Sequence, residues 1–242
     1  MKIMKPGILA LCLCAAPHLA SAQTMQWTGK GYASVNGGAQ VGSHTLRTTS
    51  TFSIYGEDAS VESTQKIKSG VLVEVGGAYR VWGHNLLAGM FFSHTASDTD
   101  VRSTSSIPDP GFYGRMRSVT TSQSGAKHSE DVVHLDAIWM IPFAEKLDFG
   151  VFAGPSVFFV KQDTVGGVTV TEPDPTVSIQ LHSVRKTAAG INLGADVQYM
   201  LRPKWGVGGT ARYAWGSAKI DGGSKKLTLG GLQLGVGVRY RF

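Results

Sequence analysis

At 242 residues with 31 glycines, two cysteines and a mean hydropathy of zero, the chain has room for one all-β domain plus extensions. Its formal charge of +6 comes without a basic run, so nucleic acid is not indicated. Past the first 25 residues no apolar stretch approaches the roughly 20 residues of a membrane-spanning helix, so any passage through a membrane is by strands.

Residues 1–22 read as a secretory signal: Lys2 and Lys5, an apolar run from Ile8 to Ala16, then Ala20-Ser21-Ala22 as a small-x-small cleavage site. Cleavage removes both cysteines and leaves 21 basic against 17 acidic residues, a net charge of +4. The mature chain then has no disulfide, thiolate metal site or cysteine nucleophile.

After the signal, 27–39 carries Lys30, Tyr32, Ser34 and Asn36 on one parity, and 47–60 reads as a second strand. In 70–81, Val71, Val73, Val75 and Tyr79 oppose Glu74 and Arg80. Gly83-His84-Asn85 turns tightly, and 86–97 returns with Ala88, Met90 and Phe92 on its apolar side. A polar connection over 98–129, with Pro108 and Pro110, is long enough to be functional or mobile. Strand 131–143 sets Val133, Leu135, Trp139 and Ile141 against His134 and Asp136; 147–160 returns with Phe149, Val151, Val157 and Phe159. A second long connection, 161–182, precedes 187–201, where Ile191, Leu193 and Tyr199 oppose Asn192, Asp196 and Gln198. Strand 205–216 places Trp205, Val207, Tyr213 and Trp215 opposite Arg212.

The final strand sets Leu232, Leu234, Val236, Val238, Tyr240 and Phe242 against Gln233, Gly235, Gly237, Arg239 and Arg241. Period-two alternation makes one greasy and one wet face, as in a barrel that meets lipid outside and a polar lumen inside. Connections alternate in length: short at 82–85, 142–146 and 202–204, long at 98–129, 161–182 and 217–226. Short periplasmic turns and long outer loops are the outer-membrane asymmetry, and Trp82, Tyr79, Phe143, Tyr199, Trp205 and Tyr240 cluster at the short-turn end as an interfacial girdle. The expected fold is therefore all-β: a membrane-spanning antiparallel up-and-down barrel of eight strands, with ten as the alternative. The barrel is placed over 47–242, with 23–46 as an N-terminal segment forming an extra strand or lying at or inside the barrel.

The inward parity collects Glu57, Glu74, Arg80, His134, Asp136, Asp148, Lys186, Asp196, Arg212, Arg239 and Arg241. Both signs are present, and an eight-stranded barrel is nearly filled by its own side chains, so these charges are expected to pair across a packed lumen. A narrow water or ion path is the alternative. His134 and Asp136 share a face and suit a base and its orienting partner, but no nucleophile stands at a matched position. Gly154-Pro155-Ser156 lacks the second glycine of a nucleophile elbow, and Gly206-Val207-Gly208-Gly209 lies within a strand rather than before a helix. No catalytic, cofactor-binding or metal-binding residues are expected, and the protein is read as non-enzymatic.

The signal, the alternating strands and the terminal strand ending in Phe242 together resemble small outer-membrane β-barrel families, such as the transmembrane domain of the OmpA-like proteins, over roughly 47–242. The chain departs from them in its extra N-terminal segment and in having no peptidoglycan-binding segment after the barrel. The resemblance implies residence in a Gram-negative outer membrane with its lipid as partner. It also implies that Val238, Tyr240 and Phe242 act as a signal to the barrel-assembly machinery. The functional expectation is a structural or surface-interaction role, with 98–129 and 161–182 available to an extracellular ligand. The alternatives are a small porin-like pore and a lipid-modifying enzyme.

Overall fold

The computed structural model describes residues 27–42, 44–171, 176–219 and 226–242; the expected signal at 1–22 lies outside them. Ten strands are present among these residues: β1 (Gly31–Val41), β2 (His44–Ile54), β3 (Glu57–Ile67), β4 (Gly70–Trp82), β5 (Leu86–Asp109), β6 (Phe112–Ala144), β7 (Leu147–Thr171), β8 (Thr176–Met200), β9 (Trp205–Lys219) and β10 (Lys226–Arg241). Eight of them, β1 and β4 to β10, close into an antiparallel ring, because β1 pairs with β4 on one side and with β10 on the other. Val35 is the hinge of that closure, opposite Val75 in one ladder and Val238 in the other.

This resolves the odd strand count. The 27–39 segment supplies β1, the closing strand of the wall, rather than an extra strand or a plug. The 47–60 segment does not start the barrel. It is broken by a turn in which Tyr55 and Gly56 both take positive φ (56° and 77°), giving the β2–β3 hairpin, which hangs on the outer part of β5. Alternation alone made the two look alike, since a hairpin standing in water and a wall strand share period two.

The long polar connections also proved to be strands. β5 and β6 stay paired from Leu86↔Trp139 up to Asp109↔Phe112, and β7 and β8 from Leu147↔Tyr199 up to Thr171↔Thr176. What hid them is a change of parity. At Gly125 (φ 84°) β6 carries an extra residue opposite β5, and a one-residue slip sends every later side chain to the other face. Below the bulge Ala126, His128 and Glu130 are buried; above it the inward positions are Thr121 and Val119.

The wall divides into two environments. From Phe143 to Val133 the outward face of β6 is wholly apolar; eleven residues at about 3.3 Å each, tilted about 40°, span about 25 Å, the height of a lipid-facing band. Trp82, Tyr79, Phe143 and Trp205 are exposed at the short-turn end, and Tyr213 and Trp215 toward the other. Above the band the outward positions become Ser, Thr, Lys and Asp. There, Ile107, Val177 and Ile179 form a core with Ile54, Val119, Val165, Val168, Val170 and Leu181, joining the β2–β3 and β5–β6 extensions to the β7–β8 extension.

Candidate functional site: the filled lumen

The inward face of β6 serves as a ruler for the interior. From the short-turn end it reads Met140 and Ile138, then Asp136 and His134, then Val132, then Glu130 and His128: apolar and polar layers in alternation. The lowest layer packs Ile138 and Met140 with Trp27, Tyr32, Ala78, Leu87, Phe91 and Phe152. Trp27 comes from the chain before β1, its carbonyl accepting from Arg80 at 3.1 Å and its ring lying under the Arg241 guanidinium at 5.4 Å. Arg241 also pairs with Asp148 at this end.

The second layer centres on Arg212 and Arg239, each 1% exposed. The Arg212 Nη1 donates to Asp136 Oδ2 at 2.8 Å and to Asn192 Oδ1 at 2.6 Å, while Nη2 and Nε reach Glu74 Oε2 at 3.1 and 3.2 Å. Its guanidinium is stacked by Phe152 (4.5 Å to the ring centre) and Phe91 (5.3 Å), the upper members of the apolar layer below. Arg239 binds both oxygens of Asp196, at 2.5 and 3.3 Å, and gives further bonds to Asn36 Oδ1 (2.6 Å) and Thr210 Oγ1 (2.9 Å).

Three carboxylates therefore face two guanidiniums. The surplus negative charge is spread over neutral donors: Asn36 to Glu74 (2.8 Å), Asn192 to Asp136 (2.9 Å), and Gln198 and Thr210 to Asp196 (2.9 and 2.8 Å). Removing charge from water costs several kcal/mol per ion unless partners satisfy it, and here each carboxylate has both a cation and a neutral donor. Room for two arginines comes from small residues: a Cβ on Gly208 would meet Arg239 Nε at 2.9 Å.

His134 is fully buried but does not touch Asp136. Its Nδ1 meets Ser156 Oγ at 2.8 Å and its Nε2 meets Ser93 Oγ at 3.1 Å, while Asn192 stands between, donating to both Asp136 and Ser156. The expected His134–Asp136 pair is thus replaced by a Ser93–His134–Ser156 chain, because neighbouring strands offer hydroxyls closer than the i+2 carboxylate. All three are buried.

A further polar layer escaped the sequence reading. Glu130 accepts from Gln40 Nε2 (3.3 Å) and from the Gly230 backbone N–H (3.1 and 3.3 Å). His128 Nε2 faces Glu130 at 3.0 Å and its Nδ1 faces Gln162 Oε1 at 2.6 Å; the Gln162 amide nitrogen is committed to Gln65 Oε1 on β3. Gln40 also accepts from Thr95 and Gln233. The parity of β6 through Glu130 was available in the sequence, but these positions fell in what read as a loop. Around this layer Leu46 and Ile67 of the hairpin pack with Val132, Phe158, Val160, Ala214, Ala218, Leu227 and Leu229.

Of the other expected lumen charges, Glu57 lies at the hairpin turn, its Oε1 accepting from the Gly114 N–H at 2.8 Å, so it belongs to the outer extension and not to the lumen. Lys186 and Arg80 keep the inward parity but are half-buried, toward opposite ends. Val238 and Phe242 are exposed on the outer wall, Tyr240 stacks on Trp205 (4.8 Å), and Phe242 exchanges backbone bonds with Gly31 at the seam. No cluster of three or more metal-ligating side chains occurs among the described residues.

A closed antiparallel ring with a lipid-facing band, short turns at one end and a filled polar interior defines an outer-membrane β-barrel. Residues 7–242 match the family described as outer membrane protein beta-barrel domain, and the chain belongs to that family. Its place is the bacterial outer membrane. Among solved structures, the outer membrane protein OprG from Pseudomonas aeruginosa is similar at 11% identity and a TM-score of 0.50, covering 90% of this chain and 98% of its own. Neisserial surface protein A is similar at 14% identity and 0.47, covering 88% and 97%. Ail, the attachment invasion locus protein of Yersinia pestis, is similar at 11% identity and 0.36, covering 88% and 99%. No curated protein sequence matches.

Proposed function

We propose that this protein is a closed, non-catalytic barrel whose role is to carry its outer β-extension above the membrane as an interaction surface. The observation that supports this is the interior: Arg212, Arg239, Glu74, Asp136 and Asp196 are all buried, bonded to partners and sandwiched between apolar layers, as a closed lumen requires. The extension is built to last in water, with its own apolar core and Ser, Thr and charged residues outward. Its β5–β6 hairpin presents Tyr113, Phe112, Arg115 and Met116 at an exposed tip, the Arg115 guanidinium lying 5.3 Å from the Phe112 ring centre. A partner from outside the cell is placed here, on the 98–129 and 161–182 extensions. The amino-terminal signal and a role for Val238, Tyr240 and Phe242 in recognition by the assembly machinery complete the proposal.

The test is conductance of the purified, refolded protein in a planar bilayer. No stepwise channel current is expected in the parent; a stable open conductance would replace this reading with that of a small pore.

A further inference from the structure

Two buried histidines line the interior, and their partners differ in kind. Around His134 both partners are hydroxyls, which can give or take a hydrogen bond, so a neutral ring satisfies them. His128 meets an acceptor on each side: Gln162 Oε1 at 2.6 Å from Nδ1 and Glu130 Oε1 at 3.0 Å from Nε2. The His128 and Glu130 side chains are 4% and 1% exposed.

Backbone groups cannot turn over, and here they fix the side-chain amides around the ring. The Asp163 carbonyl lies 3.0 Å from both Gln162 Nε2 and Gln65 Nε2, so each amide presents nitrogen to it. Turning Gln162 over would set its oxygen against that carbonyl and against Gln65 Oε1, which Nε2 reaches at 2.9 Å. Gln162 therefore offers oxygen to His128, and Nδ1 carries a hydrogen. On the other side, Gln40 Nε2 donates to the Gly230 carbonyl (3.1 Å) and to Glu130 (3.3 Å). The Gly230 N–H reaches both Glu130 oxygens, at 3.1 and 3.3 Å. Glu130 thus accepts on both oxygens, and the hydrogen between it and Nε2 belongs to the ring. The β10 backbone is bent at this point: Gly230 and Gly231 take φ of 82° and 141°, and a Cβ on Gly230 would run into the Ala214 carbonyl.

We infer that His128 and Glu130 hold one proton as a buried imidazolium–carboxylate clasp, which fastens the β2–β3 hairpin and β7 to the barrel mouth and loosens when alkali removes that proton. Through Gln162 and Gln65 the clasp reaches β7 and β3; through Gln40 and Gly230 it reaches β1 and β10. Other polar side chains bonded into it, Thr95 from β5 and Gln233 from β10, are neutral. The remaining charges at this level are Lys186 on β8, opposite Val160, which in turn stands opposite Glu130, and Asp163 on the outer side with Lys127 and Lys161. When the proton passes to hydroxide as water, Glu130 keeps a buried charge without its cation, and one ring nitrogen faces an acceptor with no hydrogen between them. Both are unfavourable in an enclosed site, so the network opens. The clasp stands or falls apart from the conductance of the lumen.

The experiment is nitrogen-15 NMR of the refolded barrel in detergent, labelled at histidine, with His128 identified by its loss in His128→Gln. At neutral pH both ring nitrogens of His128 are expected to carry protons, and Glu130→Gln should abolish that state. A bare ring nitrogen in the parent at neutral pH would overturn the inference. Amide exchange, corrected for its intrinsic pH dependence, reads the loosening. Protection at Gln65, Gln162 and Gly230 should fall about tenfold from neutral to mildly alkaline pH, the worth of one charge-assisted hydrogen bond, while β6 from Val133 to Ile141 keeps its own. His128→Gln, whose amide still donates but does not titrate, should remove that fall. The same fall in His128→Gln, or none in the parent, would break the link between the proton and the clasp. Both variants are checked for the heat-dependent gel mobility of a folded barrel; should one fail to fold, the parent's ring state and its pH response still decide.

Discussion

The same strands build two opposite kinds of protein. Below about Glu130 the β6 wall is apolar outside and charged inside; above Gly125 its outer face is polar, and the extension encloses an apolar core of Ile107, Val177 and Ile179 to which β6 gives Val119. The lower part answers to a lipid solvent, where outward polar groups are costly and the inward charges must find one another. The upper part answers to water, where burying Ile107, Val177 and Ile179 provides the driving force. The two halves should therefore fail in different ways.

The lower half should be the more brittle. Arg212→Met removes the cation from Glu74 and Asp136 while keeping much of the volume between Phe91 and Phe152. Breaking a buried network in this way costs about 3–5 kcal/mol, whereas replacing all the charges together is close to neutral. Guanidinium unfolding of the refolded barrel should show that loss for Arg212→Met, with most of it recovered in Arg212→Met/Glu74→Gln/Asp136→Asn. Asp196→Ala should lose a similar amount by orphaning Arg239. Should Arg212→Met unfold like the parent, the lower half is hydrated and the contrast between halves disappears.

In the upper half the corresponding change is a cavity. Ile107→Ala should cost about 2–4 kcal/mol, as for other buried Ile to Ala changes, but locally. Hydrogen exchange should rise along β5 above Thr99 and along β8 from Val177 to Leu181, with β9 and β10 unchanged. A uniform rise around the ring would mean that the extension and the barrel are one cooperative unit.

The junction itself rests on Gly125. Its φ of 84° belongs to the left-handed region, and a Cβ there would meet nothing within 4 Å, so Gly125→Ala isolates backbone strain from crowding. About 1–2 kcal/mol is expected, seen as faster exchange on both sides of the bulge. No change would show that the parity switch is held by packing of Val119 and Ala126 rather than by the bulge.

That junction also marks where the sequence stopped being legible. The lower half announced itself: outward Val, Leu, Ile and Trp at every second position from β4 to β10 leave little freedom of register, and the inward Glu74, Asp136, Asp196, Arg212 and Arg239 followed from parity alone. Which acid meets which arginine did not follow, because cross-barrel pairing depends on shear. Asn36 and Asn192, which tie the pairs together, carry no charge to draw attention. Above Gly125 the bulge broke the alternation, and Ser and Thr filled the outward face as they do in loops, so four long strand extensions read as two connections. Glu130 and His128 were lost with them. The β2–β3 hairpin misled for the converse reason, its alternation being good enough to pass for wall.

At the seam, Phe242 contributes backbone bonds to Gly31 but leaves its ring half exposed. Deleting Phe242 should therefore change the unfolding midpoint of the refolded barrel only slightly while lowering the inserted fraction in cells several-fold. Equal losses in both measurements would assign the ring to stability instead of to recognition during assembly.

The smallest effect lies just above the lipid band and depends on pH. Partial burial pushes the Asp163 carboxyl up, but the Ser183 hydroxyl, the Lys127 backbone N–H and the charges of Lys161 and Lys127 together outweigh it, leaving the group below the ordinary carboxylate range. A folded-state value depressed in this way gives stability that is complete above the unfolded value near pH 4 and is lost as the pH falls through the folded one. Exchange in the β7–β8 extension around Ser183 should therefore quicken on acidification below about pH 4. Asp163→Asn should flatten that dependence there. An acid response around Ser183 that persists in Asp163→Asn would place its origin in another group.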